Sequence, residues 1–142
     1  MKPITDTFVV VAPDCPVSAG TAPTKKEGAS PTIAVIQHEL LTAAPYTLTL
    51  EDLIFATHVR RSGLSANEAK ARAAEIRDAL FAKPHPCMRA SPLPKKHGWG
   101  VHHDSEGRIA IYGVETAAYQ RFADGSVAGI SVVAAMRTKR VG

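Results

Sequence analysis

Residues 98–113 read GWGVHHDSEGRIAIYG, and this stretch decides how we expect the chain to fold. Asp104 and Gly107 stand at the first and fourth positions of the central D-S-E-G, which suits a type I turn. β-branched and aromatic residues lie on both sides of that turn, as in paired strands. The pattern predicts a β-hairpin over about residues 98–114.

The register of this hairpin decides which side chains share a face, because side chains alternate along a strand. If Asp104 pairs with Gly107, one face carries four larger side chains: Trp99, Val101, Ala110 and Tyr112. The other face then carries three glycines, two isoleucines and His102. Such a flat face allows close approach. We expect it to hold either the alanine-rich helix of residues 65–81 or a planar or phosphate-bearing ligand.

The rest of the chain adds one strand and several helices. Residues 7–12 are apolar and β-branched, which predicts a buried strand in the same sheet. Caps and apolar stripes predict helices over residues 30–44, 49–63, 65–81 and 115–123. Residues 126–137 suit a helix or a strand. The predicted fold class is α+β: a small antiparallel sheet built on the central hairpin plus the N-terminal strand, packed by three to five helices.

The length of 142 residues predicts a single domain over residues 1–142. Residues 13–31 hold four prolines and predict a long, mobile loop, and residues 137–142 form a basic C-terminal tail. No apolar stretch approaches the ~18 residues that a membrane helix needs. Two cysteines at distant positions do not form a disulfide framework. The expected location is therefore the cytoplasm, without a membrane partner.

Most groups that could bind or react lie in one basic segment. Between Asp78 and Asp104 the chain has no acidic residue, yet it holds four histidines, three lysines and one arginine. Prolines stiffen the segment, and its arginine offers a fork that suits an anion. We therefore predict a site for a small anionic ligand, with seven ligand-binding residues: Arg89, Ser91, Lys95, Lys96, His97, Trp99 and His102.

Catalysis and metal binding are weaker interpretations of the same segment. The candidate catalytic residues are Cys87, as a nucleophile, and His97 or His102, as a base. The segment lacks a carboxylate that could orient a histidine, and a buried thiol is the commoner fate of a free cysteine. His97 and His102 have a spacing used by zinc sites, but they would point to opposite faces of a strand. We predict no metal site and no cofactor.

The charge balance leaves three functions open. Lys plus Arg total 17 against 13 for Asp plus Glu, a net charge of +4 that permits a polyanionic partner. The leading prediction is a binding domain for a small anionic or phosphate-bearing ligand or an acidic partner. The first alternative is a small hydrolase or transferase that uses Cys87 or a histidine of the 85–103 cluster. The second is a nucleic-acid accessory protein that uses the basic segment and the tail.

Four strings of the sequence are similar to a known family. They are APDCP (12–16), QHELL (37–41), CMRASPLPKKHGWGVHHDSEGRIAIY (87–112) and AMRTKR (135–140). Together they resemble a family of small, mainly bacterial proteins of unknown function, and the similarity covers nearly the whole chain. The resemblance implies a bacterial, cytoplasmic, single-domain protein. It transfers no catalytic residue.

Overall fold

The computed structural model describes residues 2–139. In chain order, the strands are β1 (Thr7–Val10), β2 (Trp99–His103), β3 (Ile109–Gly113) and β4 (Ser131–Ala134). The α-helices are α1 (Ile33–Ala43), α2 (Leu50–Ser62), α3 (Ala66–Ala71), α4 (Ala73–Leu80), α5 (Pro92–Lys96) and α6 (Ala117–Ala123). A short 3₁₀ helix, Met88–Ala90, precedes α5.

The strands form one sheet in the order β3-β2-β1-β4. β2 pairs antiparallel with both β3 and β1, whereas β1 pairs parallel with β4. The α+β class, the central hairpin and the N-terminal strand beside it are therefore confirmed. The ambiguous segment supplies β4, which makes the sheet mixed. Within residues 2–139 there are six α-helices rather than three to five.

The expected register of the hairpin was wrong by one residue. His103 pairs with Ile109, so Trp99 pairs with Gly113. The turn holds one more residue than expected, because the amide of Asp104 donates to the carbonyl oxygen of Arg108. Gly107, at φ 80°, takes the left-handed conformation that this longer turn requires. The isoleucines of β3 consequently share a face with Val101 rather than with His102.

The two faces of the sheet pack against different helices. Val9, Val101 and Ile109 belong to a buried core with apolar side chains of α1, α2 and α5. The opposite face meets α6. A methyl carbon placed on Gly100 would lie 2.5 Å from the Phe8 ring and 2.6 Å from the Tyr119 ring. The close neighbour of this glycine is therefore α6, not the helix of residues 65–81.

The helices begin and end close to their sequence signals, with one exception. α2 has a capping box of Thr49 and Asp52 and ends at Gly63, which adopts φ 73°. The helix predicted over residues 65–81 breaks at Arg72 into α3 and α4. None of the helices within residues 2–139 is long and apolar enough to cross a membrane.

Contacts tie part of the 13–31 segment to the rest of the protein. The Asp14 carboxylate accepts hydrogen bonds from the backbone amides of Thr138 and Lys139. These amide hydrogen bonds hold the pKa of Asp14 below its usual range. The mobility of the segment stays a prediction, and residues 140–142 of the basic tail lie outside the described part of the chain.

Candidate functional site

The structure distributes the seven predicted ligand-binding residues over several surfaces. Arg89 is exposed, and its Nε donates to the carbonyl oxygen of Ala134 at 2.7 Å. Its own carbonyl oxygen accepts from the amide of Met136 at 2.8 Å. Arg89 therefore fastens the end of β4 to the segment before α5. Its binding role stays a prediction.

A second surface brings three predicted residues together with one that the sequence left unassigned. Lys96, His97 and Trp99 lie where α5 passes into β2. The ring of His38 lies 5.3 Å from the Trp99 ring. Burial lowers the pKa of His97, with further contributions from Lys96 and His38. Trp99 Nε1 donates to the carbonyl oxygen of Thr21 at 2.8 Å, so the 13–31 segment covers one side of the indole.

His102 lies on the other face of the sheet, in a hydrogen-bonded cluster with two tyrosines. The hydroxyl of Tyr46 lies 2.7 Å from His102 Nδ1 and 2.6 Å from the hydroxyl of Tyr112. The ring of Phe122 stands 4.4 Å from the His102 ring. His102 Nε2 is buried and has no partner within residues 2–139. The predicted base is therefore covered by an aromatic ring.

Tyr46 and His102, which are hydrogen-bonded to each other, are both held in their neutral forms near pH 7. Burial raises the pKa of Tyr46, and the hydrogen bond to Tyr112 raises it further. Burial lowers the pKa of His102, against the opposing effect of Asp104. Tyr46 also adopts φ 58°, a left-handed conformation that is uncommon for an aromatic residue. Its amide donates to the carbonyl oxygen of Ile109, which keeps it at the outer edge of the hairpin.

Replacing Tyr46 with phenylalanine tests the importance of this cluster. Tyr46→Phe leaves both His102 Nδ1 and the Tyr112 hydroxyl without their shared partner. We expect the free energy of unfolding to fall by about 1–3 kcal/mol. Urea denaturation measures it, and Tyr112→Phe, which removes only the outer hydroxyl, should cost less. Equal losses in the two variants would show that the link to His102 contributes nothing.

Cys87 offers little support for nucleophilic chemistry. It is half-buried and packs against the core, as does Cys15, and both thiols are free. Within residues 2–139 no hydrogen bond joins the Cys87 thiol to a histidine. Nor are three or more His, Cys, Asp or Glu side chains grouped there so as to hold a metal ion. Catalytic roles for Cys87, His97 and His102 stay predictions.

The described residues also form a groove among α1, α2 and the segment after α4. We call it the helix groove. Its volume is about 260 Å³, and nine residues line it: Ile33, Gln37, Ile54, Thr57, His58, Arg61, Leu80, His85 and Pro86. The residues of α1 and α2 recur at three- and four-residue spacing, which places them on the facing sides of the two helices. Helix packing thus builds the groove from distant parts of the chain.

Ser91 fixes the orientation of the amide group of Gln37 in this groove. As the N-cap of α5, the Ser91 hydroxyl oxygen accepts from the amide of Leu93. Its single hydrogen donates to Gln37 Oε1 at 2.6 Å. The amide nitrogen of Gln37 is therefore the end that remains free to meet an occupant. Ser91 thus orients a residue that lines the groove, and its own predicted role in ligand binding stays a prediction.

Thr57 lines the groove, but its hydroxyl is buried beneath the surface. Its side chain is 7% exposed, and Oγ1 has no hydrogen-bond partner within residues 2–139. A threonine inside a helix commonly donates to the carbonyl three or four residues earlier. Thr42 of α1 does so, donating to the carbonyl oxygen of His38 at 2.6 Å. The Thr57 hydroxyl is thus unpaired, but its oxygen has almost no accessible surface, so an occupant of the groove cannot reach it as the helices are packed.

The groove lining is basic. Arg61 is exposed and forms no ion pair within residues 2–139, whereas its neighbour Arg60 pairs with Glu39 at 2.8 Å. His85 Nε2 lies 2.6 Å from the carbonyl oxygen of Leu80, which indicates that this nitrogen carries the hydrogen. None of the nine lining residues is acidic. A negative charge placed here would meet an arginine and no carboxylate.

Comparison with protein families identifies the chain as a member of one of them. Residues 2–141 match DUF6157, described as a family of unknown function. The chain belongs to this family. The resemblance seen in the sequence is thereby confirmed, and no residue role comes with it. Neither the curated proteins nor the solved structures give a match.

Sequence reasoning missed most of the groove in this DUF6157 chain. Ile54, Thr57, His58 and Arg61 lie in a helix that the sequence predicts, but none of them is among the predicted site residues. The spacing of residues 54, 57, 58 and 61 shows that they share a helical side, but it does not show which side faces a cavity. That information lies in the packing of α1 and α4 against α2.

Proposed function

We propose that this DUF6157 protein is a binding domain for a small anionic ligand, and that the ligand occupies the helix groove. The observation that carries the proposal is a cavity lined by no acid and by Arg61, whose guanidinium forms no ion pair within residues 2–139. An anion in the groove would give that guanidinium a partner.

The hydrogen-bonding groups of the lining favour an anion over a neutral occupant. Hydrogen bonds to charged groups are about twice as strong as neutral ones. The amide nitrogen of Gln37 can donate, and Arg61 adds a positive charge. The groove therefore presents donors where an anion has acceptors.

The basic run from Arg89 to His97 is the rival location for the same function. Lys96 and His97 lie beside His38, so several cationic or protonatable groups share that surface. None of the residues of this run lines the helix groove. A cytoplasmic location belongs to the same proposal, and two unpaired cysteines support a reducing compartment.

Thermal unfolding with added anions tests the function and its location. Formate, sulfate and inorganic phosphate are compared with chloride at equal ionic strength, since a ligand that binds only the folded state raises the melting temperature. We expect wild type to be stabilised beyond the chloride control. Arg61→Ala should weaken anion binding about ten-fold or more, because it removes a charged donor.

Arg89→Ala is the matched control, since it removes an exposed arginine outside the groove. It should retain the anion-induced stabilisation. If Arg89→Ala removes the effect while Arg61→Ala keeps it, the ligand belongs to the basic run and the groove location is wrong. If no anion stabilises wild type beyond chloride, the proposed function itself is wrong.

A further inference from the structure

We infer that the helix groove binds a monocarboxylate with a short apolar body, an inference that rests on the proposed function. The groove combines one permanent positive charge, a neutral hydrogen-bond donor in the Gln37 amide and a set of apolar walls. Each of these three features limits the ligand in a different way. Together they select a single carboxylate group on a small hydrocarbon frame over a phosphate ester.

The charge of the lining sets the charge of the ligand. Arg61 is the one residue among the nine that is permanently cationic, and its guanidinium has no ion-pair partner within residues 2–139. A phosphate monoester carries about −1.5 to −2 charges near neutral pH, whereas a carboxylate carries one. An arginine can hold the two oxygens of a carboxylate through two parallel hydrogen bonds. The single negative charge of a carboxylate therefore matches the single positive charge of Arg61.

The apolar walls require that the ligand have a hydrocarbon part. Four lining residues are apolar: Ile33, Ile54, Leu80 and Pro86. Ile33 is 39% exposed and is one of the few large apolar side chains so placed among the described residues. A bare inorganic anion would leave these walls in contact with water. An apolar body lying on them would be stabilised by the hydrophobic effect.

The volume limits the size of that body. At about 260 Å³, the groove holds roughly nine times the ~30 Å³ that one water molecule occupies in the liquid. Cavities for drug-sized ligands begin at about 300 Å³. A chain of about six carbons, or a single ring, therefore suits the space.

Ser91 acts as a positioning residue for selectivity. Because its hydroxyl holds Gln37 Oε1, the groove receives the NH₂ end of the Gln37 amide. That end donates to a carboxylate, whereas a rotated amide would offer an oxygen that repels it. A primary amide ligand, which has both a donor and an acceptor, would tolerate either orientation. Ser91 therefore favours carboxylates over amides of the same shape.

Binding of a matched series to the full chain tests this inference. Dissociation constants are measured by titration calorimetry for acetate, butyrate, hexanoate, hexanamide and inorganic phosphate. We expect hexanoate to bind at least ten-fold more tightly than acetate, because its body covers the apolar walls. Hexanoate should also bind at least ten-fold more tightly than hexanamide and than phosphate.

Three variants locate the contacts. Arg61→Ala should weaken hexanoate at least ten-fold, because it removes the charged partner of the carboxylate. Ser91→Ala should reduce the preference for hexanoate over hexanamide at least three-fold. Ser65→Ala removes the N-cap serine of α3 and should leave that preference unchanged.

The outcomes separate this inference from the function on which it rests. If phosphate binds as tightly as hexanoate and Arg61→Ala weakens both, the groove binds anions but the carboxylate inference is wrong. The same holds if affinity does not rise from acetate to hexanoate. If Arg61→Ala binds hexanoate as well as wild type does, the carboxylate does not meet Arg61 and the inference fails. If no anion binds at all, both proposals fall together.

Discussion

Gly98→Ala should destabilise the protein by about 3 kcal/mol, the largest effect that we expect from adding one methyl group. Gly98 precedes β2 at φ 78°, a conformation that costs a residue with a side chain about 1–2 kcal/mol. The added carbon would also collide with the carbonyl oxygen of Ala19 and lie 2.8 Å from its carbonyl carbon. These are backbone atoms, so the 13–31 segment would have to move away from the hairpin.

Gly125→Ala isolates the conformational part of this effect. Gly125 adopts φ 81°, nearly the same as Gly98, but a methyl group there would meet nothing within 4 Å. Urea denaturation should give a loss of about 1 kcal/mol for Gly125→Ala and a clearly larger loss for Gly98→Ala. Equal losses would show that the 13–31 segment can move away from the hairpin without a loss of stability. That result would support the predicted mobility of this segment.

The contact between Gly98 and Ala19 illustrates how far the sequence predicts the fold. The hairpin could be predicted because its signals are local: a turn motif flanked by strand-forming residues. Its register could not, because one additional residue in the turn exchanges the faces of β3. The parallel pairing of β4 with β1 joins residues more than 120 positions apart. Only tertiary packing decides such a pairing.

The candidate site, like the fold, could be predicted from the sequence only in part. The sequence drew attention to residues 83–104 because basic residues and histidines are concentrated there. Ser91, in that segment, touches the helix groove through Gln37. Arg61 lies on an ordinary-looking helix. Its importance depends on the absence of an acid among the residues that line the groove with it, and this absence cannot be seen before the helices are packed.

The strings on which the family resemblance rests contact one another in the fold. APDCP meets AMRTKR where Asp14 accepts from the amides of Thr138 and Lys139. QHELL meets CMRASPL where Ser91 donates to Gln37. These strings are far apart in the chain, so their contacts hold the loop, the tail, α1 and α5 in one arrangement. The second of these contacts lies at the helix groove.

Acidification should destabilise the protein through His103, whose side chain is 1% exposed on the core side of β2. Its Nδ1 has no hydrogen-bond partner within residues 2–139. Burial lowers the pKa of His103 to about 4, with His102 adding to the effect and Asp104 opposing it. Charging this imidazole inside the fold would place an unpaired cation in an apolar setting.

The sign of the effect follows from proton binding. Between pH 6.5 and pH 4 the unfolded chain binds a proton at His103 and the folded chain does not, so stability rises with pH. The contribution of the neutral His103 ring to the free energy of unfolding is complete above about pH 6.5 and is lost as the pH falls toward 4. A shift of this size corresponds to about 3 kcal/mol. Urea denaturation of wild type and His103→Leu from pH 4 to pH 8 measures it.

His103→Leu should unfold with a free energy close to that of wild type at pH 7, because it removes a buried nitrogen that lacks a partner. Below pH 6.5 the two proteins should diverge, and at pH 4 the variant should be more stable by about 3 kcal/mol. Subtracting one curve of unfolding free energy against pH from the other removes the effect of the carboxylates, because they titrate in both proteins. NMR of the His103 ring gives an independent reading, since it should stay neutral in the folded protein down to pH 5. Parallel curves, or a ring that titrates near pH 6.5, would show that water reaches His103 and that the core beneath β2 is more open than its packing indicates.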